Sequence, residues 1–344
     1  MNLKNKYLMI ILAVIIIKIN FSINVQAKEY NRFNNISIED GLSQATVETM
    51  MQDSKGYIWL GTNDGLDRYT GYTFKKYSYE KGQENSLVNG YILDIKEDSE
   101  GNIWVDTAAG ISKIYNNGEK VQNYTSDSES GNLSNDNTAT MLISSSNKIY
   151  VGTAEGINLY DKKTDKFNLI YPELKEEYIN SLAEDKYGNI WAGTENGLYK
   201  INVGTNVIER FESTDDVNTI SENYIYKVYY DGDKHIWIGT YDNGFCKLNI
   251  ENNKVTRYSL TREDGTIRGA FVKNFLKDSK GNMWICTDEG VVLFEVDKNI
   301  FTWYENKVHD PHSLIDNNTF SILEDYSGLI WIGTYSGVST FDPY

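Results

Sequence analysis

The side chains that most often carry acid–base or metal chemistry are scarce in this sequence. It contains three histidines and two cysteines among 344 residues. His309 and His312 lie together in one predicted loop, where a histidine could act as a general base, and His235 lies in a separate turn. Because His and Cys are the usual ligands of zinc and related ions, the composition predicts no transition-metal site. We assign no catalytic residue, no metal and no cofactor, and we expect the histidine pair to serve the structure of its loop.

Aspartates form the second group of candidate chemical residues. Each of six aspartates precedes a tryptophan by six positions: Asp53, Asp98, Asp185, Asp231, Asp278 and Asp325. A ring of carboxylates could bind Ca²⁺ or act in catalysis. The spacing Asp-x-x-Gly, however, is typical of a tight turn in which the Asp side chain accepts backbone N–H groups and the Gly adopts a positive φ. We therefore interpret these aspartates as structural.

The aspartates belong to a repeat that organises the whole chain. Its first copy is Asp53-x-x-Gly56-x-Ile58-Trp59-x-Gly61-Thr62-x-x-Gly65-Leu66, and seven copies follow one another at intervals of 41 to 47 residues. The anchoring aromatic residues are Trp59, Trp104, Tyr150, Trp191, Trp237, Trp284 and Trp331. We expect these rings to pack between neighbouring repeats, and each Gly-Thr pair to allow close packing, with the Thr hydroxyl bonded to the backbone.

Each repeat divides into four short strands, which we name A to D in chain order. In the second repeat they are predicted at residues 91–98, 103–107, 111–115 and 121–124, separated by turns rich in Gly, Asn and Ser. No segment has sustained helical periodicity. Four antiparallel strands per repeat are typical of a β-propeller blade. The sequence therefore predicts an all-β, seven-bladed propeller over residues 28–344.

The two ends of the chain are predicted to close the ring. The seventh repeat stops after its strand C, at residues 341–344, and the missing strand D is found near the N-terminus at residues 30–33. Residues 30–37 should therefore pair with the blade formed by residues 318–344, which removes the exposed sheet edges. Cys246 and Cys286 fall in neighbouring blades, and we expect two buried free thiols, with a disulfide as the alternative.

The N-terminus has the features of a targeting segment. Lys4 and Lys6 precede an apolar run at residues 7–17, and Val25-Gln26-Ala27 forms a small-residue cleavage pattern. Residues 1–27 are predicted to be a signal peptide that is cleaved, or else retained as an N-terminal anchor. We therefore expect an exported protein that is extracellular, periplasmic or on the cell surface. The net charge of −16 argues against nucleic-acid binding.

The predicted ligand site lies where the loops gather around the central channel. In a propeller, the D–A loops and the B–C turns share one face, and binding resides in such loops on a constant scaffold. The B–C turns contribute Asn63, Asp64, Glu155, Glu195, Asn196, Tyr241, Asp242, Asn243, Asp288 and Tyr335. The D–A loops contribute Gln44, Asn89, Tyr91, Asn137, Asn180, Asn223, Tyr224, Arg268, Phe271 and Asn317. Amides and carboxylates can bind sugar hydroxyls, and tyrosine rings can stack on sugars or hold cations.

The repeat resembles the two-component regulator propeller family. The resemblance rests on the phrase given above, on Gly41-Leu42-Ser43 and Ser313-Leu314 ahead of strand A, and on the stretch from His309 to Thr334, and it extends over residues 30–344. It implies an extracytoplasmic ligand-binding sensor module without fixed catalytic residues, whose partners are a small ligand (a glycan, peptide or cation) and a membrane histidine kinase or diguanylate cyclase. The alternatives are a protein-interaction scaffold and a lyase similar to the streptogramin-inactivating propellers.

Overall fold

Seven four-stranded antiparallel sheets make up the described part of the chain. The computed structural model describes residues 32–127, 132–260 and 268–343, and apart from Arg32 these belong to one compact unit, Phe33–Tyr344. Six sheets contain four consecutive strands, and the seventh joins the last three strands to the first strand of the chain. Strand A of each blade contacts strand A of both neighbouring blades, including the first and last, so the sheets form a closed ring. The predicted all-β, seven-bladed propeller is confirmed.

The strands are numbered in chain order, and blades 1 to 7 follow the order of their A strands. The A strands, which lie innermost, are β2 (Val47–Gln52), β6 (Ile92–Glu97), β10 (Thr138–Ile143), β14 (Ile179–Glu184), β18 (Ile225–Tyr230), β22 (Val272–Lys277) and β26 (Thr319–Glu324). The B strands are β3 (Ile58–Thr62), β7 (Ile103–Thr107), β11 (Ile149–Thr153), β15 (Ile190–Thr194), β19 (His235–Thr240), β23 (Met283–Thr287) and β27 (Ile330–Thr334).

The outer half of each blade completes the sheet. The C strands are β4 (Gly65–Tyr69), β8 (Gly110–Ile114), β12 (Gly156–Asp161), β16 (Gly197–Asn202), β20 (Phe245–Asn249), β24 (Gly290–Glu295) and β28 (Gly337–Phe341). The D strands are β5 (Phe74–Tyr77), β9 (Val121–Tyr124), β13 (Lys166–Ile170), β17 (Val207–Phe211), β21 (Val255–Tyr258), β25 (Ile300–Tyr304) and β1 (Asn34–Ile36). Two short 3₁₀ turns, Ile38–Asp40 and Pro172–Leu174, lie in D–A loops.

The N-terminal strand closes the ring, but it lies later in the sequence than predicted. β1 pairs antiparallel with β28, with Asn34 opposite Thr340 and Ile36 opposite Val338. Phe33, which was predicted to end the strand, precedes it. Its ring packs 5.0 Å from that of Phe341. Phe33 therefore packs into the hydrophobic core next to β1 and does not pair with β28. Residues 1–31, which include the predicted signal peptide and most of the predicted strand at 30–33, lie outside the described residues.

The anchoring aromatic rings form the core between blades, as predicted. The six anchoring tryptophans are at most 6 % exposed, and Tyr150, which takes their position in blade 3, is 2 % exposed. Each hydrophobic cluster combines two adjacent blades; Trp59 of blade 1, for example, packs with Ile92 and Ile103 of blade 2. The Thr that ends each strand B donates its hydroxyl to a glycine carbonyl oxygen across the B–C turn, as Thr62 does to Gly65 at 2.8 Å. Contacts between neighbouring blades therefore bury these aromatic and aliphatic side chains, and the burial of apolar surface is the main favourable contribution to folding.

The repeated aspartate fixes both the A–B turn and the tryptophan. Asp98 accepts the backbone N–H of Glu100 and of Asn102, each at 2.9 Å. Its other carboxylate oxygen accepts the indole N–H of Trp104 at 2.8 Å. Blades 1, 4, 6 and 7 repeat the bond from the indole at 2.8–2.9 Å. The turn role predicted from the sequence is confirmed, and the indole bond adds the reason why aspartate and tryptophan recur together.

Blade 5 departs from this arrangement because the side chain of His235, and not the indole of Trp237, bonds the repeated aspartate. His235 Nδ1 lies 3.0 Å from the Asp231 carboxylate oxygen that accepts the indole elsewhere, and the Nε1 atom of Trp237 is buried without a hydrogen-bond partner. In blades 2 and 4 the position of His235 is held by an asparagine whose amide bonds the aspartate while the indole bond is kept. A buried donor without an acceptor costs about 1–3 kcal/mol.

Replacing this histidine by asparagine is expected to stabilise the protein. In His235→Asn the indole of Trp237 can regain its acceptor on Asp231, so we expect a gain of about 1 kcal/mol in the free energy of unfolding, measured by denaturant titration. The reciprocal change Asn189→His in blade 4 is the matched control and should destabilise by a similar amount. Equal effects of the two substitutions would contradict the assignment.

Both cysteines are buried free thiols. They form no disulfide with each other, so the alternative prediction of a bridge is wrong. Cys246 lies against Ser221, with its sulfur 3.1 Å from the hydroxyl oxygen. Burial raises the pKa of the Cys286 thiol to about 12. A protonated, buried thiol is a small apolar side chain and not a nucleophile.

Candidate functional site

The same irregularity in all seven A strands builds the wall of the central channel. In each strand the pairing with strand B shifts after the first residue, as between Val47 and Thr49 in blade 1, which leaves the second residue unpaired. Such a β-bulge bends the strand and redirects a side chain. The bulged residues are Glu48, Leu93, Ala139, Asn180, Tyr226, Lys273 and Phe320. All seven line one cavity of about 90 Å³, which we name the channel cavity.

Charged side chains of both signs meet in this narrow space. Asp94, Lys227 and Lys273 also line the channel cavity with Glu48. Burial lowers the pKa of both lysines, while neighbouring carboxylates act in the opposite direction: that of Asp94 on Lys227, and those of Asp288 and then Glu48 on Lys273. Burial raises the pKa of Glu48, which accepts a hydrogen bond from the Tyr91 hydroxyl at 3.3 Å. The channel therefore holds opposite charges that are partly neutralised by one another.

A larger cavity opens beside the channel, lined mainly by blades 3 to 5 with Leu93 from blade 2. It measures about 320 Å³, and we name it the mouth cavity; its lining residues are Leu93, Thr138, Ala139, Tyr178, Asn180, Glu195, Tyr224 and Tyr226. It shares Leu93, Ala139, Asn180 and Tyr226 with the channel cavity. Its size falls within the range of small-molecule sites. The two cavities together form the candidate site.

The face predicted from the sequence is the face on which this site lies. Backbone hydrogen bonds tie the B–C turns to the D–A loops, as from Ala108 N to Tyr91 O at 3.0 Å and from Tyr335 N to Asn318 O at 3.0 Å. Of the residues predicted for the rim, Asn180, Glu195 and Tyr224 line the mouth cavity, and Asn180 also lines the channel cavity. Tyr241 stacks on Tyr224 with ring centroids 5.2 Å apart. The remaining predicted residues line neither cavity.

Many of these remaining residues hold the loops in place. The side-chain carbonyl oxygens of Gln44, Asn89, Asn223 and Asn317 accept the backbone N–H of Thr46, Tyr91, Ser213 and Asn306, respectively. Arg268 is held between the carboxylates of Glu289 and Glu305. Glu155 accepts the Asn135 amide at 3.1 Å, and Asn196 donates to Glu177 at 3.0 Å. These contacts give such residues a structural role within the rim.

The last group lies on the B–C turns around the opening. Asn63, Asp64, Asp242, Asn243, Asp288 and Tyr335 belong to these turns, and Asp242 and Asn243 donate their backbone N–H groups to Glu222 and Thr240. The Oδ1 atom of Asn63 is buried without a hydrogen-bond partner. Tyr335 is 58 % exposed. The rim is therefore polar and acidic, as predicted, while its cavity is concentrated at blades 3 to 5.

The analysis of the sequence missed most of the residues that line the cavities. Glu48, Tyr226, Lys273 and Phe320 were not among the predicted site residues, because strand residues were interpreted as sheet and core. Tyr178, which lies in a D–A loop just before β14, was not predicted either. A signal was present in the sequence. Each strand A begins with a β-branched residue, and the residue that follows varies freely from blade to blade among charged, amide, aromatic and aliphatic types. Such variation beside a constant position indicates a side chain that does not pack in the repeated core.

The three histidines lie away from both cavities. His235 lies at the A–B turn of blade 5 and bonds Asp231. His309 and His312 belong to the loop between β25 and β26, where the His312 carbonyl accepts the N–H of Phe33 at 2.9 Å. His309 adopts a positive φ of 75° and is exposed. The pair therefore helps to shape a loop that ties the N-terminal segment to blade 7. Within the described ranges, no group of three or more His, Cys, Asp and Glu side chains is arranged to hold a metal ion.

Comparison with known protein families identifies the repeats. The family model described as "Two component regulator propeller" matches residues 41–64, 86–109, 173–196, 219–242 and 313–336. These five segments are two component regulator propeller repeats. Each one runs from a D–A loop through strands A and B to the B–C turn. The two component regulator repeat therefore comprises the elements that form the channel wall and the rim.

Similar proteins extend this comparison. A histidine kinase, P4, of Formosa agariphila is 42 % identical over 57 residues, which are 16 % of this chain and 4 % of the kinase. Two extracellular domains assigned to hybrid two component systems of B. thetaiotaomicron are both 21 % identical, with TM-scores of 0.75 and 0.73. They cover 90 % and 92 % of this chain, which spans 42 % and 40 % of them. A virginiamycin B lyase of Staphylococcus aureus is 12 % identical with a TM-score of 0.68, covering 90 % of this chain and 98 % of the lyase. At these identities the solved structures show a shared propeller fold.

Proposed function

We propose that this two component regulator propeller is an exported, non-catalytic sensor module that binds a small ligand at the channel face. The observation that carries the proposal is the convergence of all seven bulged residues, different in each blade, on one cavity. A residue that served the fold alone would be expected to repeat with the other blade residues. Charged and aromatic side chains at this point are groups that orient a small ligand. The ligand classes are a glycan, a peptide or a cation.

A role in signal transduction is supported by the proteins in which similar segments occur. The histidine kinase of Formosa agariphila carries a segment like this one, and the two structures from B. thetaiotaomicron are extracellular domains of hybrid two component systems. Because this chain spans 4 % of the first and about 40 % of the others, the transducing partner is part of the proposal. We propose a membrane histidine kinase or diguanylate cyclase.

Export is proposed from the targeting features of residues 1–27, which are cleaved or retained as an anchor. The similarity to extracellular domains supports it. Among the described residues, no helix has the length and apolar character of a membrane span. None of the three histidines, which are the most common general bases, lines either cavity. The proposal therefore assigns no catalytic residue.

Filling the channel is expected to abolish ligand binding without unfolding the protein. Ala139 lines both cavities, so Ala139→Trp should place an indole where the ligand lies. A screen of glycans, peptides and cations against the full chain should yield a ligand whose affinity falls at least tenfold in this variant. Ala108→Trp, on an exposed B–C turn, is the matched control, and Tyr226→Ala tests the same cavity by removing a side chain. Binding that is unchanged in both cavity variants, or the absence of any ligand, would refute a channel-face sensor.

A further inference from the structure

The mouth cavity is walled by phenol rings and has one carboxylate at its edge. Tyr178, Tyr224 and Tyr226 line it together with Glu195, and Leu93 and Ala139 supply apolar surface. No lysine or arginine is among its lining residues. In the described part of the chain, no basic side chain forms an ion pair with Glu195, which is exposed on the B–C turn of blade 4. The cavity therefore offers negative charge and aromatic faces without a balancing cation.

The rings continue into an aromatic wall formed by Tyr224, Tyr241, Phe271 and Tyr226. Tyr224 and Tyr241 stack at 5.2 Å, with 25° between their planes. Phe271 lies 4.7 Å from Tyr241 and packs edge-on against Tyr226 at 4.6 Å. Because these rings hold one another, little conformational freedom remains to be lost when a ligand packs on them. The wall is built before a ligand arrives.

One cation already rests on this assembly. The ammonium of Lys273 lies 4.9 Å from the centre of the Phe271 ring and 4.1 Å from that of Phe320. These distances are typical of a cation–π interaction. The Lys273 ammonium thus makes a cation–π interaction on the channel side of the aromatic wall. We assign the same type of interaction, with a bound cation, to the side that faces the mouth cavity.

Three of the other polar groups of the cavity are already engaged. The Thr138 hydroxyl donates to the Thr107 carbonyl oxygen at 2.6 Å, and the Asn180 amide donates to that of Ile225 at 2.9 Å. The Tyr178 hydroxyl donates to Asn137 at 3.2 Å. A sugar needs several free donors and acceptors for its hydroxyl groups, and an anion needs a positive group. The lining of the cavity includes no positive group, and these three bonds reduce the number of groups that a sugar could use.

Electrostatics favour a cationic ligand. Burial is the main cause that raises the pKa of Tyr178 and of Tyr224. The next contribution comes from the charge of Asp106 at Tyr178 and from that of Glu195 at Tyr224, so both phenols remain neutral at physiological pH and present intact aromatic faces. The chain as a whole carries a net charge of −16, which attracts cations toward its surface.

We infer that the mouth cavity binds an organic ammonium ion, held by the faces of Tyr178, Tyr224 and Tyr226 and paired with Glu195. Recognition of quaternary ammonium groups by aromatic cages uses the same physics. The inference rests on the proposed function and narrows its ligand to one chemical class. A methylated ammonium head fits this lining because its charge is spread over apolar methyl groups that need no hydrogen bonds.

The inference is tested by comparing choline with its neutral analogue 3,3-dimethylbutan-1-ol, which has the same shape without the charge. With the full chain, calorimetric titration should show choline binding at least tenfold more tightly than the analogue. Glu195→Gln, which keeps the size of an exposed side chain, should weaken choline binding at least fivefold while leaving the analogue unaffected. Tyr224→Leu should weaken choline binding at least tenfold. Glu176→Gln removes one charge from a neighbouring loop on the same face and is the matched control, with less than a twofold effect.

The following outcomes would contradict the inference. Equal binding of choline and the analogue would show an apolar pocket, and choline binding that survives both Glu195→Gln and Tyr224→Leu would place the ammonium elsewhere. If choline does not bind but a glycan or peptide does, and that binding is lost in Ala139→Trp, the ammonium site is refuted while the sensor function stands. If no ligand of any class depends on Ala139, both are refuted.

Discussion

Gly61→Ala is expected to destabilise the protein by about 2–3 kcal/mol, because this position is filled by the neighbouring blade. A Cβ atom at Gly61 would lie 2.6 Å from the Cγ2 atoms of both Ile92 and Thr49. Both partners are β-branched and buried, so their side chains have few alternative rotamers, and overpacking of this kind costs about 1–3 kcal/mol. The free energy of unfolding from denaturant titration measures the loss, with the slope m unchanged.

Gly204→Ala is the matched control for this prediction. A Cβ atom at Gly204 would meet one atom at 3.5 Å, an ordinary contact, and its φ lies outside the left-handed region. Alanine there should be neutral or slightly stabilising, because it restricts the unfolded chain. Ile92→Ala should relieve part of the strain, so that Gly61→Ala costs less in that background than in the native one. Equal losses at Gly61 and Gly204 would show that the blades adjust without cost.

At the interface between two blades, the residue at this position of strand B and the first residue of the next strand A vary together, although they lie far apart in the sequence. Where strand B carries glycine at this position, the next strand A begins with valine or isoleucine, as in the pairs Gly152–Ile179 and Gly193–Ile225. Where it carries Asp106 or Cys286 instead, the next strand begins with Thr138 or Thr319. Both threonines donate their hydroxyl to the backbone of the preceding blade. A larger side chain on one blade is thus matched by a smaller, polar one on the next.

This rule explains what the sequence could and could not predict about the fold. The repeated phrase is local, so its period, its turns and its buried tryptophans were predictable from short windows. Asp106 and Cys286 occupy the glycine position of the repeat. In the sequence each looks like an isolated exception, because the threonine that it contacts lies about 32 residues further along the chain. Only the adjacency of two blades brings Asp106 and Thr138 together. The closing strand was misplaced for a similar reason: Phe33 satisfies the aromatic pattern, but its ring is needed in the core of blade 7.

The candidate site was predictable as a face but not as a cavity. Loop residues such as Asn223 and Asn317 have the types that bind sugars, yet the same amides brace a loop in every blade where they recur. The cavity depends on the bulge in strand A, a feature of backbone pairing that residue type alone does not reveal. Its position between blades 3 and 5 depends on which bulged residues are small, as Ala139 is, and which are aromatic, as Tyr226 is.

Asp106→Asn is expected to stabilise the protein, by an amount that grows with pH. Asp106 is fully buried, and neither carboxyl oxygen has a hydrogen-bond partner. Burial, together with the nearby Asp94 carboxylate, raises the pKa of Asp106 well above its usual value. Below about pH 4 the carboxyl is protonated in both folded and unfolded chains and causes no penalty. Above that pH the unfolded chain loses the proton first, so the native protein loses up to about 1.4 kcal/mol of stability per pH unit until the folded pKa is reached.

The asparagine variant removes this penalty while keeping the shape of the side chain. The difference in free energy of unfolding between Asp106→Asn and the native protein should therefore be small near pH 4 and should increase toward pH 8. Asp325→Asn is the control of opposite sign. Although burial alone would raise the pKa of Asp325, hydrogen bonds from Ser327 and Trp331 lower it. Its variant should be less stable at neutral pH, and the difference should stay constant down to about pH 4 and shrink only as the pH falls below that value.

A difference between Asp106→Asn and the native protein that does not change from pH 4 to pH 8 would mean that Asp106 is ionised in the fold. The distinction matters for the candidate site, because Asp106 lies close enough to the mouth cavity to influence Tyr178. A protonated Asp106 contributes no charge there, which leaves Glu195 as the carboxylate among the residues that line the cavity. If Asp106 proved ionised, it would supply a second negative charge beneath the cavity, and the fivefold effect expected for Glu195→Gln on choline binding would be smaller.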